Sequence, residues 1–158
     1  MSYDHNGKYV PRPTPETQEF WDGARRGELR IQRCNDCDKA YFYPRIVCPE
    51  CGGGNVGWFT ASGRATLHSY GIAMRSLYGY EAPYSIAIVE LEEGPRMLSN
   101  IVGIDQTPET LVLDMPLTVQ FEDRGDHSVP VFAPAVLLVR LARLTITLPS
   151  PASVVEAK

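Results

Sequence analysis

CNDCDKAYFYPRIVCPEC, residues 34–51, holds all four cysteines of a 158-residue chain. Cys34 and Cys37 form one C-x-x-C pair, Cys48 and Cys51 a second, and ten residues separate the pairs. Each pair brings two sulfurs onto one tight turn, and two such knuckles complete a tetrahedral all-thiolate shell with no open position, the form of a structural zinc site. Gly52 follows the second knuckle and Asp38 the first, and both residue types accept the left-handed backbone such a turn needs. The C-P-x-C-G run also resembles half of a rubredoxin site, so iron is the minor alternative and zinc the expected metal. Four thiolates on a divalent ion leave a double negative charge, which the nearby Arg45 can offset.

Working outward toward the N-terminus, residues 1–13 are polar with Pro11 and Pro13, and read as an extended or loose arm. Thr14-Pro15-Glu16 reads as a helix start, with Thr14 as N-cap and Pro15 at the first helical position. Phe20, Trp21 and Ala24 then make an apolar stripe and Gly27 a stop. So short a helix must dock to be stable, on the chain's own body or on a partner. Residues 29–32 alternate like a short strand leading into the first knuckle. Between the knuckles, Tyr41, Phe42 and Tyr43 supply the rings with which a ribbon lacking its own core shields a metal.

Past Gly63 the pattern turns to β. Strands are expected at 64–75, with a bend or bulge at Gly71, and at 84–92, 96–102, 117–122 and 129–132. A capped helical turn at 107–111 interrupts them. Three strands, a helical turn and two strands is the order of an OB-fold, a five-stranded Greek-key barrel. Leu67, Ile86, Ile88, Leu98, Val119 and Phe121 are its expected core. The chain thus reads as mainly β: arm and helix (1–33), rubredoxin-like zinc ribbon (34–59), OB-fold (60–134), and an atypical, partly disordered tail (135–158).

The net charge of −4 and a pI near 5.4 oppose general nucleic-acid binding, which needs a basic surface. Up to Arg64 there are nine Lys/Arg against eight Asp/Glu, and beyond it six against eleven, so an anion-binding surface belongs on the zinc side. The longest apolar run, residues 136–148, is 13 residues and carries Arg140 and Arg143, too short and too charged to span a bilayer. A polar N-terminus without a signal core, and thiols kept for metal, place the chain in the cytoplasm.

No catalytic constellation is visible. The cysteines are consumed by metal, and His5, His68 and His127 stand in an arm, a strand and a turn. Gly52-Gly53-Gly54 lacks the Lys-Ser/Thr of a phosphate loop, and no G-x-S-x-G occurs.

Several local patterns coincide in order: P-x-P-T-P-E-T-x-E-F-W (11–21), G-E-L-x-I-Q-x-C-x-x-C (27–37), F-Y-P-R (42–45), C-P-x-C-G (48–52), S-G-R-A-T (62–66), V-E-L-x-E-G-P-R (89–96) and P-V-F-A-P (130–134). Over residues 11–134 this set resembles the acyl-CoA-associated zinc-ribbon/OB-fold family, formerly a domain of unknown function, whose members are small partner subunits of thiolase-like and lipid-transfer-type thiolase enzymes. The tail from Ala135 departs from it. The resemblance implies a non-catalytic accessory subunit in a 2+2 complex, acting with its partner on acyl-CoA thioesters in thiolysis, Claisen or retro-aldol chemistry. Steroid, aromatic, polyketide and short-chain acyl groups all remain open. CoA carries phosphates that arginines bind through paired donors and an adenine that stacks on rings. Arg45, beside Tyr43 and Phe42, is the first candidate contact and Arg33 another, while Arg25 and Arg26 read as solvated cations on a helix end. The rival reading is a nucleic-acid-binding OB/zinc-ribbon module; co-purification with a thiolase-like chain against salt-sensitive retention on DNA separates the two.

Overall fold

Alternating side chains and glycine-marked turns produce two antiparallel sheets and one short helix in the computed structural model, which describes residues 2–135. The sequence expectations for residues 136–158 lie outside the described residues.

Helix α1 spans Gln18–Arg25. It begins three residues later than the Thr14-Pro15 signal suggests, because Thr14 and Thr17 close a turn of their own. The Thr14 N–H donates to Thr17 Oγ1 (2.9 Å) and the Thr17 N–H to the Thr14 carbonyl (2.9 Å). The helix stops as Gly27 predicts: at φ +75° it lets Glu28 N–H reach the Gly23 carbonyl and its own N–H reach that of Ala24.

Strands β1 (Arg30–Cys34), β2 (Ala40–Tyr41) and β3 (Val56–Thr60) form the ribbon sheet in the order β2-β1-β3. Strand β3, which carries Trp58 and Phe59, pairs with β1 along its whole length and connects the ribbon to the barrel. The barrel is β4 (Arg64–Ala73), β5 (Tyr84–Leu91), β6 (Arg96–Ser99), β7 (Pro116–Arg124) and β8 (His127–Pro134), in the order β6-β5-β4-β7-β8. A parallel bridge between Ile101 and Phe132 brings the two ends together, as an OB-fold requires. Between β6 and β7, Thr107 to Leu111 forms the expected single helical turn, the Leu111 N–H donating to the Thr107 carbonyl (3.0 Å).

One core runs through all parts. Phe20, Leu29 and Ile31 join Leu67, Val89, Leu91, Leu117 and Phe132 in one buried cluster. Phe20 and Trp21 therefore pack on the chain's own body rather than awaiting a partner, with Phe20 only 2% exposed.

Four expectations need correction. The bulge in β4 falls at His68, where the register shifts between Leu67 and Ser69, and not at Gly71. Strand β5 turns Ser85, Ala87, Val89 and Leu91 inward, which leaves Ile88 half-buried and Ile86 and Leu98 exposed. Ser85 fixes that phase: its Oγ accepts the Ile101 N–H (3.0 Å) where the chain crosses from β6 to β8, so a polar side chain takes an inner position. Val119 and Phe121 face inward but are half-buried. Finally, the N-terminal segment is not loose. Residues 2–10 fold into a small hairpin (Tyr3 pairing Tyr9) tied down by the Lys8–Glu122 ion pair at 2.8 Å.

Candidate metal centre and basic groove

The two knuckles are built alike. Cys34 N–H bonds the Lys39 carbonyl (3.0 Å) and Cys48 N–H that of Gly53 (2.8 Å). Asp38 N–H returns to Cys34 O and Gly52 N–H to Cys48 O, each at 2.9 Å. Asp38 (φ +57°) and Gly52 (φ +74°) occupy the left-handed region, as the spacing requires.

The cysteines are free of disulfides, and one donor atom from each lies within 4.8 Å of the other three. Cys34–Cys51 and Cys37–Cys48 sulfurs are 3.6 and 3.7 Å apart. A tetrahedron with ligands about 2.3 Å from its centre has edges of about 3.8 Å, so the residues present fit zinc without rearrangement. Tyr41 and Val56 pack beside the sulfurs, and Cys34 and Cys48 are buried. Amide donors support the shell: the Cys51 and Glu50 N–H groups hold the Cys48 thiol down to about 7 against its burial. The Lys39 amide favours the Cys37 thiolate, but burial and the three adjacent sulfurs overcome it and push Cys37 up to about 12. Four thiolates are stable together here only around a cation. Such a centre has no open position and holds the ribbon together rather than binding a substrate.

Beside the centre, a groove of about 540 Å³ runs between the ribbon and the turn joining β5 to β6. Arg33, Lys39, Arg45 and Arg96 line it together with Asp38, Glu50 and Glu93. Arg33 lies over the Phe59 ring (4.7 Å) and near Asp38 (3.5 Å), and Arg96 Nε pairs with Glu90 (2.7 Å). Neither Lys39 nor Arg45 has an ion-pair partner among the described residues. Backbone bonding places Arg45: its N–H donates to Oε1 of the buried Gln32 (2.7 Å) and its carbonyl accepts from Tyr41 Oη (3.4 Å). The sequence-predicted Arg33 and Arg45 thus share one groove. Tyr43 does not line it, its ring packing on Phe42 (5.1 Å) and Phe20 (6.0 Å). Arg25 pairs with Asp22 on the helix surface, 2.7 Å away. Arg96 was not singled out from sequence, although the Gly94-Pro95 turn before it was the available signal. His5 and His68 are exposed, and His127 faces Trp21 with ring centroids 6.3 Å apart.

Residues 21–57 match the family model described as ChsH2, rubredoxin-like zinc ribbon domain, and residues 58–122 the one described as ChsH2, C-terminal OB-fold domain. The chain belongs to the ChsH2/DUF35 family. It is 39% identical over 94 residues to a DUF35 domain-containing scaffold protein of Methanothermobacter thermautotrophicus, covering 57% of this chain and 71% of that one. It is also 35% identical over 130 residues to a probable enoyl-CoA hydratase alpha subunit of Thermomonospora curvata, covering 80% of this chain. A 3-oxo-4,17-pregnadiene-20-carboxyl-CoA hydratase alpha subunit of Mycobacterium tuberculosis is 32% identical over 133 residues, covering 83% of this chain. This chain spans only 40% and 42% of those two alpha subunits. Among solved structures it superposes on a chain of the assembly titled Ltp2-ChsH2(DUF35) aldolase with a TM-score of 0.72 and 32% identity, covering 80% of this chain and all of that one. A DUF35 protein of Sulfolobus solfataricus, 16% identical with a TM-score of 0.54, shares the fold. No helix among the described residues is long and apolar enough to cross a membrane.

Proposed function

We propose that this chain is a zinc-containing, non-catalytic accessory subunit of a thiolase-like or lipid-transfer-type thiolase enzyme that acts on acyl-CoA thioesters. The observation that carries this reading is the likeness of 80% of this chain to the whole of one chain in the Ltp2-ChsH2(DUF35) aldolase assembly. The alpha subunits similar to this chain are named for CoA thioesters, one of them a steroid, which supports the substrate class. All four cysteines gather at the candidate metal centre, so the chain has no other thiol to offer as a nucleophile.

In this reading the partner supplies the chemistry and this chain completes the acyl-CoA entrance and stabilises the partner, in a complex of two copies of each chain. Arg45, with Arg33 beside it, is proposed to meet the CoA phosphates in the basic groove, joined by Lys39 and Arg96. Tyr43, at the edge of the ribbon, is the proposed ring for the adenine. Zinc keeps β1 and the 39–45 segment in register so that Arg33, Lys39 and Arg45 point into one space. The rival reading, a nucleic-acid module, is disfavoured by the barrel face described below, whose lining residues include no cation. The test is reconstitution: the thiolase-like chains of the source genome are purified with and without this subunit and assayed on acyl-CoA substrates. Faster turnover with the subunit supports the reading; equal rates contradict it.

A further inference from the structure

Ile88 and Leu98 sit directly opposite each other on the outer face of the barrel, and Ile86 lies one step along the same face. Gly71 stands across from Ile86 and contributes no side chain to cover it. Leu98 is 65% exposed and Ile86 48%. The hairpin joining β4 to β5 extends this surface. Leu77 and Tyr80 exchange two backbone hydrogen bonds (3.1 and 3.0 Å), with Tyr78 (φ +49°) and Gly79 (φ +75°) between them. Two central residues at positive φ make a type I′ turn, which asks for Asn or Gly where Tyr78 stands. A bulky ring is held there because the turn is clamped from behind. Gly79 lies on the N-terminal hairpin, where an added Cβ would come within 2.2 Å of the Asn6 carbonyl. Tyr80 stacks on Tyr84 (5.0 Å) and accepts a hydrogen bond from the buried Arg124 (2.7 Å).

The result is a pre-shaped apolar surface around a cavity of about 370 Å³ whose lining includes no Lys, Arg, Asp or Glu. The Glu90–Arg96 ion pair bounds it further along the same two strands. An apolar centre with a polar rim is the anatomy of a protein interface. It occupies the face on which OB barrels receive ligands, the second and third strands and the loop before them.

We infer that this face docks an uncharged, apolar surface of the thiolase-like partner subunit, with Leu77, Tyr78 and Leu98 as anchors. The inference rests on the accessory-subunit reading and adds to it the surface used. Charge selects the occupant's chemistry: the lining offers phosphate-bearing strands no cation, and Lys8 and Arg124, which lie over the Tyr80 ring, are both paired with Glu122. The aldolase assembly containing the matched chain favours an unlike partner over a second copy. Ala135, the last described residue, donates its N–H to the Pro116 carbonyl at the end of β8 remote from Val129 and Pro130.

The test co-expresses the tagged full chain with each thiolase-like chain of the source genome and measures the affinity of the captured pair. Tyr78→Asp and Leu98→Asp, both at exposed positions, are compared with Val112→Asp, exposed elsewhere. We expect each of the first two to weaken the pair at least about 30-fold, the range of an interface anchor, and the third to leave it unchanged. Zinc content and Tm should hold in all three. Pairs that stay tight with Tyr78→Asp and Leu98→Asp overturn this surface while leaving the accessory-subunit reading intact. Failure of the unsubstituted chain to bind any thiolase-like chain overturns both. Self-association of the isolated chain that Leu98→Asp abolishes assigns the face to a second copy. Radical labelling of Tyr78 that rises on deleting residues 136–158 assigns it to the tail. Either of these results overturns the partner assignment.

Discussion

Arg124, on β7, donates through Nη2 to the Tyr80 hydroxyl at 2.7 Å and through Nε to Glu122 at 2.7 Å, while its Nη1 reaches the Tyr9 carbonyl at 3.3 Å. One buried guanidinium thereby joins the N-terminal hairpin, the β4–β5 turn and the barrel wall. Arg124→Met should remove three bonds and leave Tyr9 O and Tyr80 Oη without this donor. We expect a loss of roughly 1–3 kcal/mol in stability, measured by urea unfolding, with faster proteolysis before residue 10 as the local sign.

Acid should loosen the same junction. Burial alone would raise the Glu122 carboxyl, but hydrogen bonds from Lys8 and Arg124 outweigh it and hold the group below its ordinary 4.5. A depressed carboxylate contributes stability that is complete above the unfolded value and lost as pH falls through the folded one. Protection factors for hydrogen exchange in residues 3–10, corrected for the pH dependence of free amides, should therefore be flat at neutral pH and fall below about pH 4.5. Glu122→Gln should shrink that acid step, leaving the part due to Asp4, whose carboxylate accepts the Asn6 and Lys8 N–H groups and is also held below its ordinary value.

Gly79→Ala tests the clamp from the other side. Its Cβ would meet the Asn6 carbonyl at 2.2 Å and the Gly7 carbonyl carbon at 2.7 Å, at a φ of +75°. Backbone atoms cannot swing away as a side-chain end can, so the N-terminal hairpin must lift. The expected cost is roughly 1–3 kcal/mol, with Tyr80 fluorescence and proteolysis near residue 8 as readouts.

The zinc site was legible in the sequence because its chemistry is carried by residue type and spacing: two C-x-x-C pairs, with Asp38 and Gly52 where the turns need them. The order of the barrel strands was legible for the same reason, each bounded by a turn signal. The phase of β5 was not. Ser85-Ile86-Ala87-Ile88-Val89 is apolar on nearly every residue, so periodicity does not say which side faces in. The tight barrel interior takes Ser85 and Ala87, and the larger isoleucines go outside. The N-terminal hairpin was illegible because its anchor, Lys8 to Glu122, spans 114 residues. In the groove, Arg33 and Arg45 were readable as cations near the zinc, but Arg96 arrives from the barrel only once the two parts share a core.

Zinc uptake should release protons. Without metal, Cys37 stands at about 12, and Cys51 lies above its ordinary 9.0 because neighbouring sulfurs and burial outweigh the Gly53 amide. Both are thiols at pH 7, so loading one zinc should release at least about two protons, seen as a buffer-dependent binding enthalpy. Affinity should rise with pH, and X-ray absorption should give four Zn–S distances of about 2.3 Å. Cys37→Ser should cost metal and solubility together. Uptake with no proton release would contradict an all-thiolate shell.

Arg45→Ala should weaken acyl-CoA binding by the complex by roughly 1–3 kcal/mol, the scale of a charged hydrogen bond to phosphate. Zinc content should not change, since Arg45 touches the ribbon through backbone atoms. Dephospho-CoA thioesters should narrow the gap between Arg45→Ala and the unsubstituted chain if the 3′-phosphate is the group bound.

Turnover of the purified thiolase-like partner on an acyl-CoA substrate, titrated with this subunit, tests the central claim most directly. The account predicts that the rate rises to a plateau at one subunit per partner chain and that this chain alone turns over nothing. A partner equally fast without it, or turnover by this chain alone, would contradict the account.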